Sequence, residues 1–146
     1  MSLVLGYSAF SRMFTWEVQR AVRYQDFLAL CLVRIESPED ASPDLCKTVG
    51  ERIVDLLRAA DVVGLTATNI FVLLLHTPEV EAAAIADRIR NRIEGSPFPM
   101  SSAEVFRVRV NVAVAVFPSD GTTEESLLNG AEARLGAIAA RRDMSA

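Results

Sequence analysis

RAADVVGLTATNIFVLLL, residues 58–75, is the segment that decides how this chain folds. Two apolar runs, Val62-Val63 and Ile70 to Leu75, lie on either side of a short polar segment. Aliphatic and β-branched runs separated in this way predict a β-hairpin, with its turn at Ala67 to Asn69. Two-residue hairpin turns favour Gly, Asn and Asp because they require positive φ, and the Ala-Thr pair at the centre contains none of these. The sequence therefore predicts a hairpin with an unfavourable turn.

Length and composition indicate one globular domain. The chain has 146 residues, of which 51% are hydrophobic and 23% charged, so it is long enough to bury a core and too apolar for a disordered segment. No apolar run is long enough to span a bilayer and no basic leader precedes one, so we expect a cytoplasmic protein without a membrane segment. The net charge of −4 argues against nucleic acid as a partner and leaves room for a local anion site.

The sequence contains no pattern typical of a metal or redox centre. Cys31 lies in an apolar run and Cys46 in a predicted helix, without C-x-x-C spacing, so we expect two reduced cysteines. His76 is the single histidine and has no companion ligand for zinc. We therefore predict no metal site and no cofactor.

Helical and strand patterns alternate along the chain. Helices are predicted from Ser8 to Tyr24, from Pro43 through Leu57, from the N-cap Thr77 to Gly95, and from Thr122 or Thr123 through Ile138; strands over Phe27 to Ile35 and Val105 to Val116; a loop over Ser37 to Ser42; and a turn over Pro118 to Gly121. In the last strand Arg107, Arg109 and Asn111 alternate with valines, which predicts one polar and one apolar face. The strands are too few for a doubly wound sheet, so an α/β sandwich with helices on one sheet is predicted. Residues 1–7 are assigned to a linker or to residues added for expression, and the domain to residues 8–143.

Ordered segments along most of the chain carry a resemblance to a known family. They are Arg20-Ala21-Val22-Arg23-Tyr24, Leu28 to Glu36, Ala84 to Arg90, Asn111 to Ala115 followed by Pro118 to Gly121, and Leu127 to Ala133. Together with Asp61 to Phe71 they resemble, in type and spacing, the GGDEF domains of bacterial diguanylate cyclases. The resemblance implies an α/β (α+β) fold, a ferredoxin-type, nucleotide-cyclase-like sandwich in which helices flank a central, mainly antiparallel sheet.

The catalytic letters of the family signature are replaced in this chain. Only the last letter matches in the degenerate signature Ala67-Thr68-Asn69-Ile70-Phe71, and its first two letters are no longer the glycines that let the backbone approach phosphates. The resemblance places the family's two metal-binding carboxylates at Arg34 and Asn69. A guanidinium repels a cation and an amide is a poor, neutral ligand. Because joining two GTP molecules needs a divalent metal, we predict no catalytic residues and no diguanylate cyclase activity.

A second site of the family is matched. Many members bind cyclic di-GMP, as a feedback inhibitor, at an Arg-x-x-Asp five residues before the signature, together with an Arg of the next helix. Arg58, Asp61 and Arg88 match these positions. An arginine suits phosphate and the Hoogsteen edge of guanine, and a carboxylate accepts from the N1 and N2 donors of guanine. An Arg and an Asp three residues apart are also typical of a surface ion pair, so both interpretations stay open.

Three functional hypotheses follow for this chain. The first is a catalytically inactive domain of bacterial signal transduction that is a cyclic di-GMP receptor through Arg58, Asp61 and Arg88. The second is a ligand-free dimerisation or signal-relay module of a larger regulatory protein, with a second copy or other GGDEF or phosphodiesterase domains as partners. The third, an active cyclase, is disfavoured by the replaced metal ligands.

Overall fold

The computed structural model describes residues 3–36, 43–99 and 105–145. In chain order the described elements are β1 (Leu3–Gly6), α1 (Tyr7–Tyr24), β2 (Leu28–Ile35), α2 (Pro43–Val54), β3 (Val62–Leu65), β4 (Asn69–Leu75), α3 (Glu79–Gly95), β5 (Phe98–Pro99), β6 (Val105–Phe106), β7 (Val110–Phe117) and α4 (Glu124–Ser145). The loop predicted over Ser37 to Ser42 lies outside the described residues. Among the described helices, none combines the length and the apolarity that a bilayer crossing needs.

Five strands form one sheet in the order β1-β3-β4-β2-β7. β1 is parallel to β3, and the other neighbouring strands are antiparallel. Helices α1 and α4 pack on one face, and α2 and α3 pack on the other. β2 lies between two strands and two helical layers, which explains why its first six residues are all buried. The predicted fold, a mainly antiparallel sheet flanked by helices, is confirmed.

The first strand is a difference from the sequence prediction, which assigned residues 1–7 to a linker. Leu3 to Gly6 pair in parallel register with Val62 to Leu65 and extend the sheet beyond the hairpin. A four-residue Leu-Val-Leu-Gly run is too short for periodicity to distinguish from a linker. Because β1 runs directly into α1, the folded unit includes residues that the prediction placed outside it.

β3 and β4 form the predicted hairpin, and a threonine closes its turn. Thr66 Oγ1 accepts a hydrogen bond from the Asn69 N–H at 3.0 Å, and the Thr66 N–H donates to the Asn69 carbonyl at 3.0 Å. No residue of the turn has positive φ. A threonine hydroxyl can replace a backbone turn bond in this way, so the Ala67-Thr68 pair folds without glycine.

Two helix ends differ from the prediction. Thr77 is not the N-cap of α3, because Pro78 has that position and forms no side-chain cap. Thr77 is instead buried, with its hydroxyl donating to a main-chain carbonyl at 2.8 Å. α2 ends at Val54, so Leu56 and Leu57 follow the helix rather than belong to it, although both pack against the core. The helical spacing of apolar residues extends beyond Val54 because the turn after α2 packs Leu56 and Leu57 against the same core as the helix.

The strand predicted over Val105 to Val116 is divided in two. β6 pairs with β5 in a separate two-stranded sheet, whereas β7 pairs with β2. Val108 is buried like the valines of β7, so the apolar–polar alternation continues through residues 107–109. The alternation therefore gives no sign that β6 and β7 pair in different sheets. Asn111, predicted on a polar face, is 4% exposed, and its amide oxygen accepts from Arg142 Nη1 at 3.0 Å.

The last helix begins with a reciprocal cap. Thr123 Oγ1 accepts from the Ser126 N–H at 3.0 Å, and Ser126 Oγ accepts from the Thr123 N–H at 3.0 Å. This is a capping box in which serine, and not the predicted Glu125, returns the second bond. Of the two predicted caps, Thr122 and Thr123, the structure confirms the second.

Asp120 ties the turn before α4 to the edge strand, and its contribution to stability is expected to depend on pH. Hydrogen bonds from Arg134 hold the pKa of this carboxyl below its ordinary value, and the Val116 N–H adds to the effect against partial desolvation. A depressed folded-state pKa means that the stabilisation is present at neutral pH and is lost as the pH falls through that pKa. Asp120→Asn should therefore cost about 1–2 kcal/mol at neutral pH and almost nothing near pH 2.

Chemical denaturation at the two pH values measures this difference. The exposed Asp55→Asn is the matched control and should change the free energy of unfolding little at either pH. An Asp120→Asn cost that stays the same at both pH values would contradict the assignment.

Candidate functional site

Arg34 lies at the centre of the cluster formed by the signature positions. It is near the end of β2, in register with Asn69 of β4 on one side and Asn111 of β7 on the other. Its Nε donates to Asn69 Oδ1 at 2.8 Å. Its Nη2 donates to both carboxylate oxygens of Glu132, on α4, at 2.9 and 3.0 Å. Arg34 and Asn69, the two positions that the resemblance assigns to metal carboxylates, are thus joined by a direct hydrogen bond.

These residues do not fit a divalent cation. Arg34 brings a positive charge to the position of a ligand, and the single oxygen of the Asn69 amide already accepts from it. Among the residues that the structure describes, Glu132 is the carboxylate that pairs with Arg34, and the guanidinium neutralises it. Hard cations require several oxygen ligands with net negative charge. Among the described residues, no group of three or more His, Cys, Asp or Glu side chains is arranged to hold a metal.

A second arginine satisfies the polar groups next to this cluster. Arg142 Nη1 donates to the Val110 carbonyl at 2.7 Å and to the Asn111 amide oxygen, and its Nη2 contacts Glu94 at 3.2 Å. Arg109 pairs with Glu36 at 3.2 Å across the ladder of β7 and β2. Sequence reasoning missed Glu132 and Arg142, which come from the distant α4. No spacing signal in the sequence links them to β2.

The degenerate signature contains exposed residues at the hairpin turn and buried residues in β4. Ala67 and Thr68 are exposed at the turn, and the Ala67 carbonyl accepts from Cys46 Sγ at 3.4 Å. Ile70 and Phe71 are buried on opposite faces of the sheet, and Phe71 packs against the ring of Tyr7 with centroids 4.7 Å apart. The one letter that matches the family is therefore a packing residue.

Arg58 and Asp61 are brought together by the turn between α2 and β3. The Asp61 carboxylate is 2% exposed and accepts from the N–H groups of Arg58 and Leu75, both at 3.1 Å. Arg58 Nη2 donates to the Leu75 carbonyl at 2.7 Å and to Thr77 Oγ1 at 2.6 Å. The pair thus fastens the turn to the far end of β4. Arg88 lies on the exposed side of α3 and is not among the hydrogen-bond or ion-pair partners of Asp61 in the described part of the chain.

The two cysteines are buried and free. Burial raises the pKa of the Cys31 thiol to about 12, with a smaller effect from the charge of Asp61, and burial also raises the pKa of Cys46. Both thiols are therefore protonated at neutral pH, which is typical of cysteines that pack in a core.

Comparison with known proteins identifies the family. Residues 40–144 match the family described as diguanylate cyclase, GGDEF domain. A curated relative, the bifunctional diguanylate cyclase/cyclic di-GMP phosphodiesterase MucR of Pseudomonas aeruginosa, is 34% identical over 88 residues, which are 60% of this chain. The match spans 13% of the length of that relative.

Solved structures agree with the fold. The GGDEF domain of YfiN (TpbB) from Pseudomonas aeruginosa superimposes with a TM-score of 0.84 at 19% identity, covering 92% of this chain and 89% of that one. The FimX GGDEF domain of the same organism gives 0.82 at 14% identity, with 92% and 88% covered. The active GGEEF domain of a diguanylate cyclase from Vibrio cholerae gives 0.75 at 16% identity, with 90% and 87% covered. This chain therefore belongs to the diguanylate cyclase GGDEF-domain family.

Proposed function

We propose that this domain is a non-catalytic GGDEF domain that acts as a regulatory module in bacterial cyclic di-GMP signalling. The observation that carries the proposal is the Arg34 guanidinium, which is bonded to Asn69 and Glu132 where a cyclase of this family needs a metal ion. The similarity to MucR, a bifunctional diguanylate cyclase/cyclic di-GMP phosphodiesterase, and to the Vibrio cholerae diguanylate cyclase domain supports the signalling context.

The chemistry of cyclisation explains why one arginine has so large an effect. Each GTP brings a triphosphate whose charge must be neutralised while a 3′-hydroxyl attacks the α-phosphate, and a divalent metal supplies this together with an activated oxygen. A fixed guanidinium neutralises charge but cannot coordinate or activate the attacking oxygen. Turnover of GTP with Mg²⁺ or Mn²⁺ tests the proposal, and we expect no cyclic product above a protein-free blank.

Within this role, the geometry of the Arg-x-x-Asp segment favours a ligand-free relay or dimerisation module. Asp61 accepts two main-chain N–H groups from within the domain and is almost inaccessible to solvent. Both carboxylate oxygens are turned into the domain, so the side chain would have to reorient toward solvent before it could accept from guanine. The segment therefore acts as an internal brace between the α2–β3 turn and β4.

Cyclic di-GMP binding through Arg58, Asp61 and Arg88 is the second candidate. It is favoured by the position of two cations at the surface: the Arg58 side chain is 56% exposed, and Arg88 is exposed on α3. Such guanidinium groups could engage a phosphate without any change in the backbone.

Isothermal titration calorimetry with cyclic di-GMP separates the two candidates. For the relay module we expect no heat of binding up to about 100 µM ligand, well above the Kd of a specific nucleotide site. Saturable binding that is lost in Arg88→Ala but kept in Arg92→Ala, a matched exposed arginine of the same helix, would establish the receptor instead. Arg58→Ala is less informative, because it also removes bonds that hold β4.

A further inference from the structure

β7 is an edge strand, and half of its main-chain groups face away from the sheet. The Glu36 N–H donates to the Arg109 carbonyl at 2.8 Å, which fixes the odd-numbered residues of this strand as the ones bonded to β2. The N–H and C=O groups of the even-numbered residues, from Val110 to Val116, therefore point outward.

At both ends of this free edge the outward main-chain groups already bond to other parts of the domain. At one end the Val110 N–H donates to Glu94 at 2.9 Å and its carbonyl accepts from Arg142. At the other end the Val114 carbonyl accepts from Arg134 at 2.6 Å. Both main-chain groups of Val116 bond to Asp120.

Between these ends an open window remains. The Val112 N–H, the Val112 carbonyl and the Val114 N–H have no hydrogen-bond partner among the described residues, and both valines are half-buried. Unpaired edge groups are a template for another strand, and proteins normally cover them. In β7 the outward main-chain groups of Val110 and Val116 are hydrogen-bonded, whereas those of Val112 are not.

A groove follows this window between α3 and α4. One cavity of about 520 Å³ and another of about 290 Å³ lie along the edge, and both are lined by Ala86, Asp87, Val112 and Ile138. Ala86, Val112 and Ile138 give both cavities a small and aliphatic surface, and charged side chains lie around it. An extended strand, about 5 Å from its neighbour, fits such a slot, whereas a second sheet carrying its own helices would collide with α3 and α4.

The charge of the larger cavity favours an acidic occupant at that end of the groove. The larger cavity is lined by four arginines, Arg90, Arg109, Arg141 and Arg142, and by the single carboxylate of Asp87. Glu36 and Glu94 offset part of this charge through Arg109 and Arg142. Four arginines against three carboxylates leave a small positive excess at the larger cavity, whereas the smaller cavity is lined by Glu79, Asp87 and Arg134 and has no such excess. The larger cavity is therefore the end of the groove that attracts a segment of opposite sign.

We propose that this groove binds an extended acidic segment of a partner protein by adding it as an antiparallel strand to β7. One residue of the segment exchanges both main-chain bonds with Val112, and the carbonyl of a residue two positions away accepts from the Val114 N–H. Acidic side chains of the segment pair with the arginines at the larger cavity. The interface adjoins the Arg34 cluster through Asn111 and Arg142 and is separate from the Arg58–Asp61 brace, so it stands whether or not the domain binds cyclic di-GMP.

Amide hydrogen exchange by NMR on the intact chain tests this placement. The probe is a blocked hexapeptide of alternating glutamate and valine. In the free protein the Val112 and Val114 amides should exchange faster than those of Ala113 and Ala115, which bond to β2. About 1 mM probe should slow exchange at Val112 and Val114 by about tenfold.

Control peptides and variants separate strand addition from other events. The probe with N-methylated alternate amides should not protect the edge, and a lysine–valine version should bind about tenfold more weakly. Val112→Pro removes an N–H that the ladder does not use, so it should keep the fold and abolish the protection of Val114. Arg90→Glu should weaken probe binding, whereas the same charge change at the exposed Arg12 of α1 should not.

Four results would overturn the proposal. They are unchanged exchange at Val112 and Val114 at the highest probe concentration, equal binding of the lysine–valine peptide, full protection by the N-methylated peptide, and protection that rises with protein concentration alone. The last result would assign the edge to a second copy of this chain.

Discussion

Replacing Asp61 with alanine is expected to lower the free energy of unfolding by about 3 kcal/mol. The carboxylate is 2% exposed and accepts from the N–H groups of Arg58 and Leu75, which the alanine side chain cannot replace. It also lies 3.6 Å from Arg58 Nε, so its removal leaves that guanidinium without its acidic neighbour. Urea denaturation followed by circular dichroism measures the loss.

The control for this variant is Asp55→Ala. Asp55 is exposed in the turn that follows α2, so its removal should change the free energy of unfolding by less than about 0.5 kcal/mol. Asp61→Asn should fall between wild type and alanine, because an amide retains one acceptor oxygen and turns its NH₂ toward the other donor. If Asp61→Ala were as stable as wild type, the carboxylate would not brace the hairpin, and the receptor interpretation of the pair would gain support.

Gly64→Val is expected to destabilise the domain by about 3 kcal/mol or more, through overpacking. Gly64 is in β3, and a Cβ at this position would lie 2.6 Å from Phe10 Cβ and against the ring of Phe10. Phe10 lies on the side of α1 that faces the sheet and is fully buried, with Phe14 and Phe71 beside it, so it has no space into which to move. The strand would have to separate from α1.

Gly136→Ala is the matched control. Gly136 lies on the exposed side of α4, and a Cβ there meets no atom within 4 Å. Alanine in a helix interior is favoured over glycine by about 1 kcal/mol, so this variant should be more stable than wild type. In thermal unfolding, the midpoint should fall for Gly64→Val and rise for Gly136→Ala. A Gly64→Val protein with an unchanged midpoint would contradict the close packing of α1 on β3.

Local sequence patterns predicted most of the fold, and failed where the main chain changes partner. The apolar run of β2 and the hairpin of β3 and β4 were predicted correctly, because burial and alternation are properties of consecutive residues. The break at residues 107–109 was not predicted. Val108 is buried and continues the apolar–polar alternation, although β6 and β7 belong to different sheets. The four residues of β1 were missed because their partner, β3, lies far along the chain.

Only part of the candidate site was predicted, because the sequence does not show which distant residues meet in the fold. Arg34 and Asn69 could be singled out from the signature, and the structure places them in one cross-strand pair. Their partner Glu132 is 98 positions from Arg34, and no spacing rule connects them. The inward direction of Asp61 was also invisible, because the same Arg-x-x-Asp spacing suits a surface ion pair, a ligand site and an internal brace.

Diguanylate cyclase turnover of the purified chain tests the central claim most directly. The protein is incubated with GTP and Mg²⁺ or Mn²⁺, products are separated by chromatography, and an active GGDEF domain is assayed in parallel to establish the conditions. Because Arg34 lies at the position that the family resemblance assigns to a metal ligand, and bonds to Asn69 and Glu132, cyclic di-GMP should stay at the level of the protein-free blank with either metal. Product that accumulates in proportion to time and protein concentration, and that a metal chelator abolishes, would contradict the account.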